Sequence, residues 1–250
     1  DDKTKAIILY GGEGKSFCSG GDFNETSKFT GGEDVREWID NVTETYKSVL
    51  SCKIPIIAAI DHYAIGFGLQ LALLCDYRIG SEKVMLQMPE LKKGIACNFG
   101  ALILEHMIGR PLMQKMIFKC EMMLAEDAKN SGLIHDIFQS DKLLDTAINF
   151  AKELAQRSET AFRETKQTMN KEFIEKINNI KGPATLAHCN SFSKGIAQEN
   201  MRKLLNKNHA PKEFSATNEH ENSAEKWQKK ICASKIEAIV SKKTDNIVTV

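Results

Sequence analysis

Residues 54–94 read IPIIAAIDHYAIGFGLQLALLCDYRIGSEKVMLQMPELKKG. Ile54 to Ile60 is a run of β-branched residues and alanine almost free of charge, the composition of a strand buried on both faces. A short turn leads to Gly66-Phe67-Gly68 at the mouth of an apolar helix, and a second strand is expected at Val84 to Gln87. Met88-Pro89-Glu90 closes the stretch. Two features point to chemistry. Backbone N–H groups at a helix N-terminus have no partner within the helix and favour negative charge. A single carboxylate, Glu90, follows a proline at the end of a strand. On its own the stretch reads equally well as an ordinary strand–helix–strand core, so the flanking chain has to decide.

The chain has 250 residues, enough for one substantial core with an appendage. Its net charge of +1, with no basic run interleaved with aromatics, gives no reason to expect a nucleic-acid partner. No apolar run reaches the roughly 18 residues of a membrane span, and Asp-Asp-Lys-Thr-Lys at the start is not a secretory leader. The chain does not open on methionine, so a fragment or a processed product is expected. The seven cysteines are scattered, with no CxxC or Cys/His spacing for zinc, so no metal is expected. Beside apolar neighbours they read as small buried hydrophobes in a reducing, cytoplasmic setting.

Upstream, Ala6 to Tyr10 (AIILY) reads as a short buried strand, followed by the glycine loops Gly11-Gly12-Glu13-Gly14 and Ser19-Gly20-Gly21. Residues 25–34 are polar and expected to form a mobile loop. Val35, Trp38, Ile39, Val42, Tyr46, Val49 and Leu50 then recur at helical spacing behind Glu33 and Asp34. The succession of strand, glycine loop, helix, strand, glycine turn, helix and strand defines an α/β chain built from crossovers. Downstream, Leu91 to Phe99 is expected as loop and Leu133 to Phe138 as a strand. Helices are expected over Ala101–Met107, Leu112–Cys120, Asp141–Gln156, Thr160–Asn170, Phe173–Ile180 and Pro183–Leu205. From Lys207 the composition turns polar. Residues 209–226 read as disordered, and residues 226–240 carry a weak amphipathic spacing through Trp227, Ile231, Ile236 and Ile239.

Two strand-to-helix glycine loops and a Pro-Glu beyond the next strand form a set. Backbone N–H groups from separate loops can converge on one oxygen, and each such donor is worth on the order of 10²–10³ in rate. That suits a thioester carbonyl gaining negative charge as an enolate or a tetrahedral anion. The motifs SFCSGGDF, IPIIAAIDHYAIGFGLQLALLCDYRI and MPELKKGI, in this order and spacing, resemble the crotonase (enoyl-CoA hydratase/isomerase) superfamily over about residues 5–205.

The resemblance implies an α/β crotonase fold of repeated ββα units acting on coenzyme A thioesters, with no tightly bound cofactor. It implies a core over about 1–140, a helical trimerisation region over about 141–206, and a homotrimer or hexamer. The backbone N–H groups of Gly21 and Phe67 would form the oxyanion hole, with Ser19, Gly20, Gly66 and Gly68 shaping its loops, and Glu90 would be the catalytic carboxylate. The family has two further strands and a helix ahead of the position matching Asp1, so the sheet edge and the coenzyme A site are expected to lack that layer. His62 stands where the family usually has glycine, and no role follows for it.

Hydratases of this family carry a second glutamate where this chain has Gln70. An amide can orient a ligand but cannot exchange a proton as a carboxylate does, which argues against two-carboxylate hydration. YGG, GGDFNE, EDVREWID with Trp38, GFGLQ, MPELKKGI and His188 in LAH are most similar to the carboxymethylproline synthase branch. That branch implies decarboxylation of malonyl-CoA, with the enolate held in the oxyanion hole. Attack on the C=N carbon of pyrroline-5-carboxylate and hydrolysis of the thioester then follow. Glu90 would serve hydrolysis or acceptor positioning, Gln70 orientation, Trp38 the acceptor pocket, and His188 the acceptor carboxylate. Trp38 and His188 fit packed helix positions equally well, and Gln70 could satisfy a backbone group. Two alternatives stand: a hydratase, isomerase or decarboxylase using one glutamate, and a non-catalytic crotonase-fold interaction subunit.

Overall fold

A computed structural model describes residues 4–207, 242–244 and 247–249. In chain order the elements are β1 (Ala6–Tyr10), α1 (Phe23–Thr26), α2 (Glu33–Ser51), β2 (Ile56–Ile60), β3 (Tyr63–Ile65), α3 (Phe67–Leu74), β4 (Tyr77–Ser81) and β5 (Met85–Gln87). They continue as α4 (Glu90–Lys93), α5 (Asn98–Lys119), β6 (Met123–Leu124), α6 (Ala125–Asn130), β7 (Asp136–Phe138), α7 (Leu143–Ala155), α8 (Glu159–Ser193), α9 (Ile196–Lys207), β8 (Lys242–Thr244) and β9 (Ile247–Thr249).

The central sheet runs β7-β4-β2-β1-β9-β8, and a smaller sheet runs β3-β5-β6. β1 and β2 pair in parallel with Ile8 beside Ile57, and β2 pairs in parallel with β4. Their uninterrupted apolar runs are explained by burial on both faces. Ile7, Leu9, Ile56, Ala58 and Ile60 join a large core with α2, α3, α5 and α8. The alternate residues Ala6, Ile8, Ile57 and Ala59 pack on Leu143, Ala147 and Ala151 of α7.

Several boundaries differ from the sequence expectation. β4, at Tyr77–Ser81, has one isoleucine between Arg78 and Gly80 and lacks the apolar run that marks β2. Its Arg78 is buried because its guanidinium donates to the carbonyls of Leu133 (2.8 Å) and Cys75 (2.9 Å). The expected separate helices over 160–193 are one 35-residue helix, α8, with Pro183 inside it. Proline fits a first turn and, at the loss of one backbone bond, an interior position. The break falls instead at Gly195, with φ at 76°. The helices expected on either side of Gly109 are continuous as α5 except for that residue, whose φ of 74° kinks it. The loop expected over 91–99 contains α4, closed by Gly94 in the left-handed region. The loop expected over 25–34 is helical at both ends: α1 runs to Thr26 from its cap Asp22, whose carboxylate accepts from the Asn24 N–H at 2.8 Å, and α2 begins at Glu33.

A buried ion pair ties α8 to the sheet. Lys166 Nζ donates to Asp76 Oδ2 at 2.7 Å, and the same oxygen accepts from the Ile56 N–H at 2.8 Å. The amphipathic segment expected over 226–240 lies outside the described residues. β9 pairs in parallel with β1, with Val248 beside Ile7, and β8 pairs antiparallel with β9. The apolar β1 is thereby covered on the edge that its sequence neighbours leave open, an edge that otherwise invites pairing with other chains.

Candidate active site

The loop before α1 is laid onto the smaller sheet. Cys18 bridges to Ala64, its N–H donates to the Tyr63 carbonyl at 3.2 Å, and its carbonyl accepts from the Ile65 N–H at 3.0 Å. This pairing brings Gly20-Gly21 to the start of α3. A Cβ on Gly68 would collide with the Cys18 carbonyl, so glycine there permits the two loops to approach. Gly66 caps α3 with φ at 56°, a conformation that side chains resist. Its N–H donates to the Gln87 carbonyl at 2.9 Å, which fixes β5 beneath it. Phe67 is the first residue of α3, where the N–H has no intrahelical acceptor.

A cavity of about 310 Å³ opens at this junction. Ser19, Gly20, Gly21, Gly66, Phe67, Gln70, Glu90, Trp38 and His188 all line it. The sequence-predicted site residues are thus brought together, with one exception. Gly68 faces the Cys18 backbone and is not among the lining residues, so its part is to let the loops pack.

Glu90 opens α4 directly after β5, and its carboxylate reaches under the Gly66 turn. A Cβ on Gly66 would lie 3.1 Å from Glu90 Oε1. Gln70 Nε2 donates to that same oxygen at 3.1 Å. Glu90 Oε2 is buried without a hydrogen-bond partner among the described residues. Burial pushes the Glu90 carboxyl up from its ordinary 4.5 to about 6, while its own backbone N–H, the Cys97 thiol and the Gln70 amide pull the other way. Desolvation wins because the neighbours are neutral. At neutral pH Glu90 is mostly ionised and close enough to its midpoint to exchange a proton.

Trp38 and His188 pack edge-to-face with ring centroids 5.7 Å apart, and Phe29 and Phe192 complete the cluster. Trp38 Nε1 is buried and unpartnered among the described residues, a donor held at the cavity wall. His188 Nδ1 lies 2.7 Å from the Ala184 carbonyl. Burial lowers the His188 pKa, with the backbone of Ala184 and Ala96 opposing, so the ring is neutral at pH 7.

The lining residues that the sequence did not single out include Tyr46, Cys97 and Asn98. Tyr46 donates its hydroxyl to Gln70 Oε1. Cys97 stands between α4 and α5 beside Glu90 and Gln70, its thiol pushed well up by burial and then by the Glu90 charge. Asn98 has a buried Oδ1 with no partner among the described residues. Tyr46 was visible only as one apolar position of α2, although a buried tyrosine hydroxyl usually has a partner, and that requirement is its signal. Nothing in the sequence marks Cys97 or Asn98.

The whole of residues 1–222 matches the family model described as enoyl-CoA hydratase/isomerase. The chain belongs to this family, the crotonase superfamily, and is an acyl-CoA enzyme. It is 39% identical over 207 residues to a carboxymethylproline synthase of Pectobacterium carotovorum subsp. carotovorum, covering 83% of each chain. It is 30% identical to the 2,3-dehydroadipyl-CoA hydratase of Escherichia coli, over 67% of this chain and 65% of that one. Among solved structures it is similar to ThnE from S. clavuligerus, with 40% identity and a TM-score of 0.68, over 75% of this chain and 83% of that one. An enoyl-CoA hydratase/isomerase from Mycobacterium paratuberculosis shares the fold at 24% identity and a TM-score of 0.73, over 80% of each chain. Membership in an enzyme family sets aside the alternative of a non-catalytic interaction subunit.

Proposed function

We propose that the chain decarboxylates malonyl-CoA and joins the resulting enolate to pyrroline-5-carboxylate, as a carboxymethylproline synthase does. The observation that carries this reading is the pairing at the cavity floor: one carboxylate, Glu90, with an amide, Gln70, where hydration needs a second carboxylate.

In this reading the thioester oxygen sits between the backbone N–H groups of Gly21 and Phe67. The bond to the malonyl carboxylate breaks, its electron pair moves into the thioester as an enolate, and CO₂ leaves. The N–H pair holds the charge as it develops on oxygen. The enolate carbon then attacks the C=N carbon of the acceptor, and the nitrogen takes the displaced pair and a proton. Water adds to the thioester carbonyl with Glu90 Oε2 taking its proton, and coenzyme A departs as the thiol. Trp38 lines the acceptor pocket, and His188, whose Nδ1 proton is taken by the Ala184 carbonyl, meets the acceptor carboxylate through Nε2 in the protonated form that this negative charge favours.

The assembly is a homotrimer or hexamer in the cytoplasm. Exposed Phe118 (69%) and Leu124 (57%) near the end of α5 support self-association. The buried, unpaired cysteines of the described chain support a reducing compartment.

CO₂ release from malonyl-CoA, measured with and without pyrroline-5-carboxylate, tests the reading. Release stimulated by the imine, with a carboxymethyl product, is expected. Rapid hydration of crotonyl-CoA without decarboxylation would overturn it in favour of a single-glutamate hydratase.

A further inference from the structure

The polar chain leading away from Glu90 does not stop at Gln70. Tyr46, 1% exposed, donates its hydroxyl to Gln70 Oε1. An ionised carboxylate only accepts, so it takes the amide nitrogen, and the amide oxygen left on the far side needs a donor, which the Tyr46 hydroxyl supplies. Gln70 Nε2 is therefore turned to Glu90 Oε1, at 3.1 Å, and away from Tyr46. Space confines the same side chain. A Cβ on Gly100 would meet Cys97 Sγ at 2.5 Å and Gln70 Nε2 at 3.2 Å, so the amide group lies against α5 as well. The Tyr46 ring stacks on Phe67 with centroids 5.9 Å apart and meets Phe99 edge-on at 5.6 Å. One buried side chain thus braces both the residue that opens α3 and the amide that holds the carboxylate.

We infer that Tyr46 is a positioning residue that, by bonding Gln70 Oε1, holds the Gln70 amide against Glu90, so that Glu90 keeps Oε1 bound and presents Oε2 as its proton-transferring oxygen. Without the hydroxyl, Gln70 Oε1 is left buried and unpaired, and the amide is drawn off toward another donor. Glu90 Oε1 then loses the amide donor that favours its charged form. Loss of the lock therefore raises the proton affinity of Glu90 and blurs which oxygen is free. The other ionisable groups lining the cavity around Glu90 are Cys97 ahead of α5, His188 of α8 and Lys93 of its own short helix.

The inference rests on Glu90 being the working carboxylate, and its test needs no substrate. The full chain carrying ¹³C-labelled glutamate is titrated by NMR as wild type, Tyr46→Phe, Gln70→Met and the double variant. Tyr46→Phe keeps the ring contacts with Phe67 and Phe99, so its melting temperature should stay close to that of the wild type. Its Glu90 signal should titrate at least about one pH unit higher, roughly tenfold in proton affinity. Gln70→Met should move Glu90 upward alone, and adding Tyr46→Phe to it should change nothing more. In turnover, Tyr46→Phe should lower kcat roughly tenfold and leave the thioester KM within about twofold. A Glu90 titration unchanged by Tyr46→Phe, or shifted equally with and without Gln70, would overturn the inference. Should Tyr46→Phe fail to fold, Gln70→Met carries the test, and an unshifted Glu90 there refutes the lock. Failure to decarboxylate malonyl-CoA, with the NMR shifts intact, would count against the proposed reaction alone.

Discussion

Replacing Glu90 by glutamine should stabilise the fold while removing activity, and pH should reveal why. The Glu90 carboxyl titrates near 6 in the folded protein against an ordinary 4.5. That interval corresponds to about 2 kcal/mol. Below pH 4.5 both folded and unfolded chains hold the proton, and Glu90 contributes nothing. Above pH 6 both are ionised, and the folded state bears the whole cost of a buried charge. Glutamine has the same shape, can still accept from Gln70 Nε2, and carries no charge. Glu90→Gln should therefore gain about 1–2 kcal/mol at pH 8, and the gain should fade to nothing as pH drops from 6 to 4.5. Urea unfolding of both proteins across pH 4.5–8.5, at constant m-value, measures the difference curve. A pH-independent difference, or a variant less stable than wild type at pH 8, would refute the electrostatic account. The combination of greater stability and lost turnover is the signature of strain kept for function.

Two further predictions probe the scaffold. Lys166→Ala leaves Asp76 buried without its cation and should cost roughly 3–5 kcal/mol in chemical denaturation, whereas Lys166→Met with Asp76→Asn should recover most of it. Gly68→Ala drives a methyl group into the Cys18 carbonyl and should separate the two glycine loops. Its turnover should fall at least tenfold while far-UV circular dichroism stays unchanged, and wild-type kcat would contradict the described packing.

Much of this protein was legible in order along the chain. The apolar runs at β1 and β2, the glycines at 20–21 and 66–68, and the proline before Glu90 are local signals with local causes. Solvent-free strands, left-handed turns and strand ends write themselves into composition. The three-motif resemblance extended them to a family and to the residues that share the cavity. β4 escaped because its stability comes from parallel pairing to β2 and from Arg78 reaching carbonyls elsewhere, neither of which leaves a periodicity. The ends of α8 escaped because Pro183 is compatible with starting a helix and with sitting inside one, and only packing against α2 decides between them.

The site divides in the same way. The sequence by itself determined that Glu90 has an amide, Gln70, as its companion and that two glycine turns precede helices. Only the tertiary structure decided which oxygen of Glu90 is bound and which is free, because that depends on where the Gln70 amide, twenty positions away in sequence, meets it in space. Hydrogen-bond direction and desolvation arise where distant segments meet, and they set the protonation of a carboxylate whose identity the chain alone had already specified.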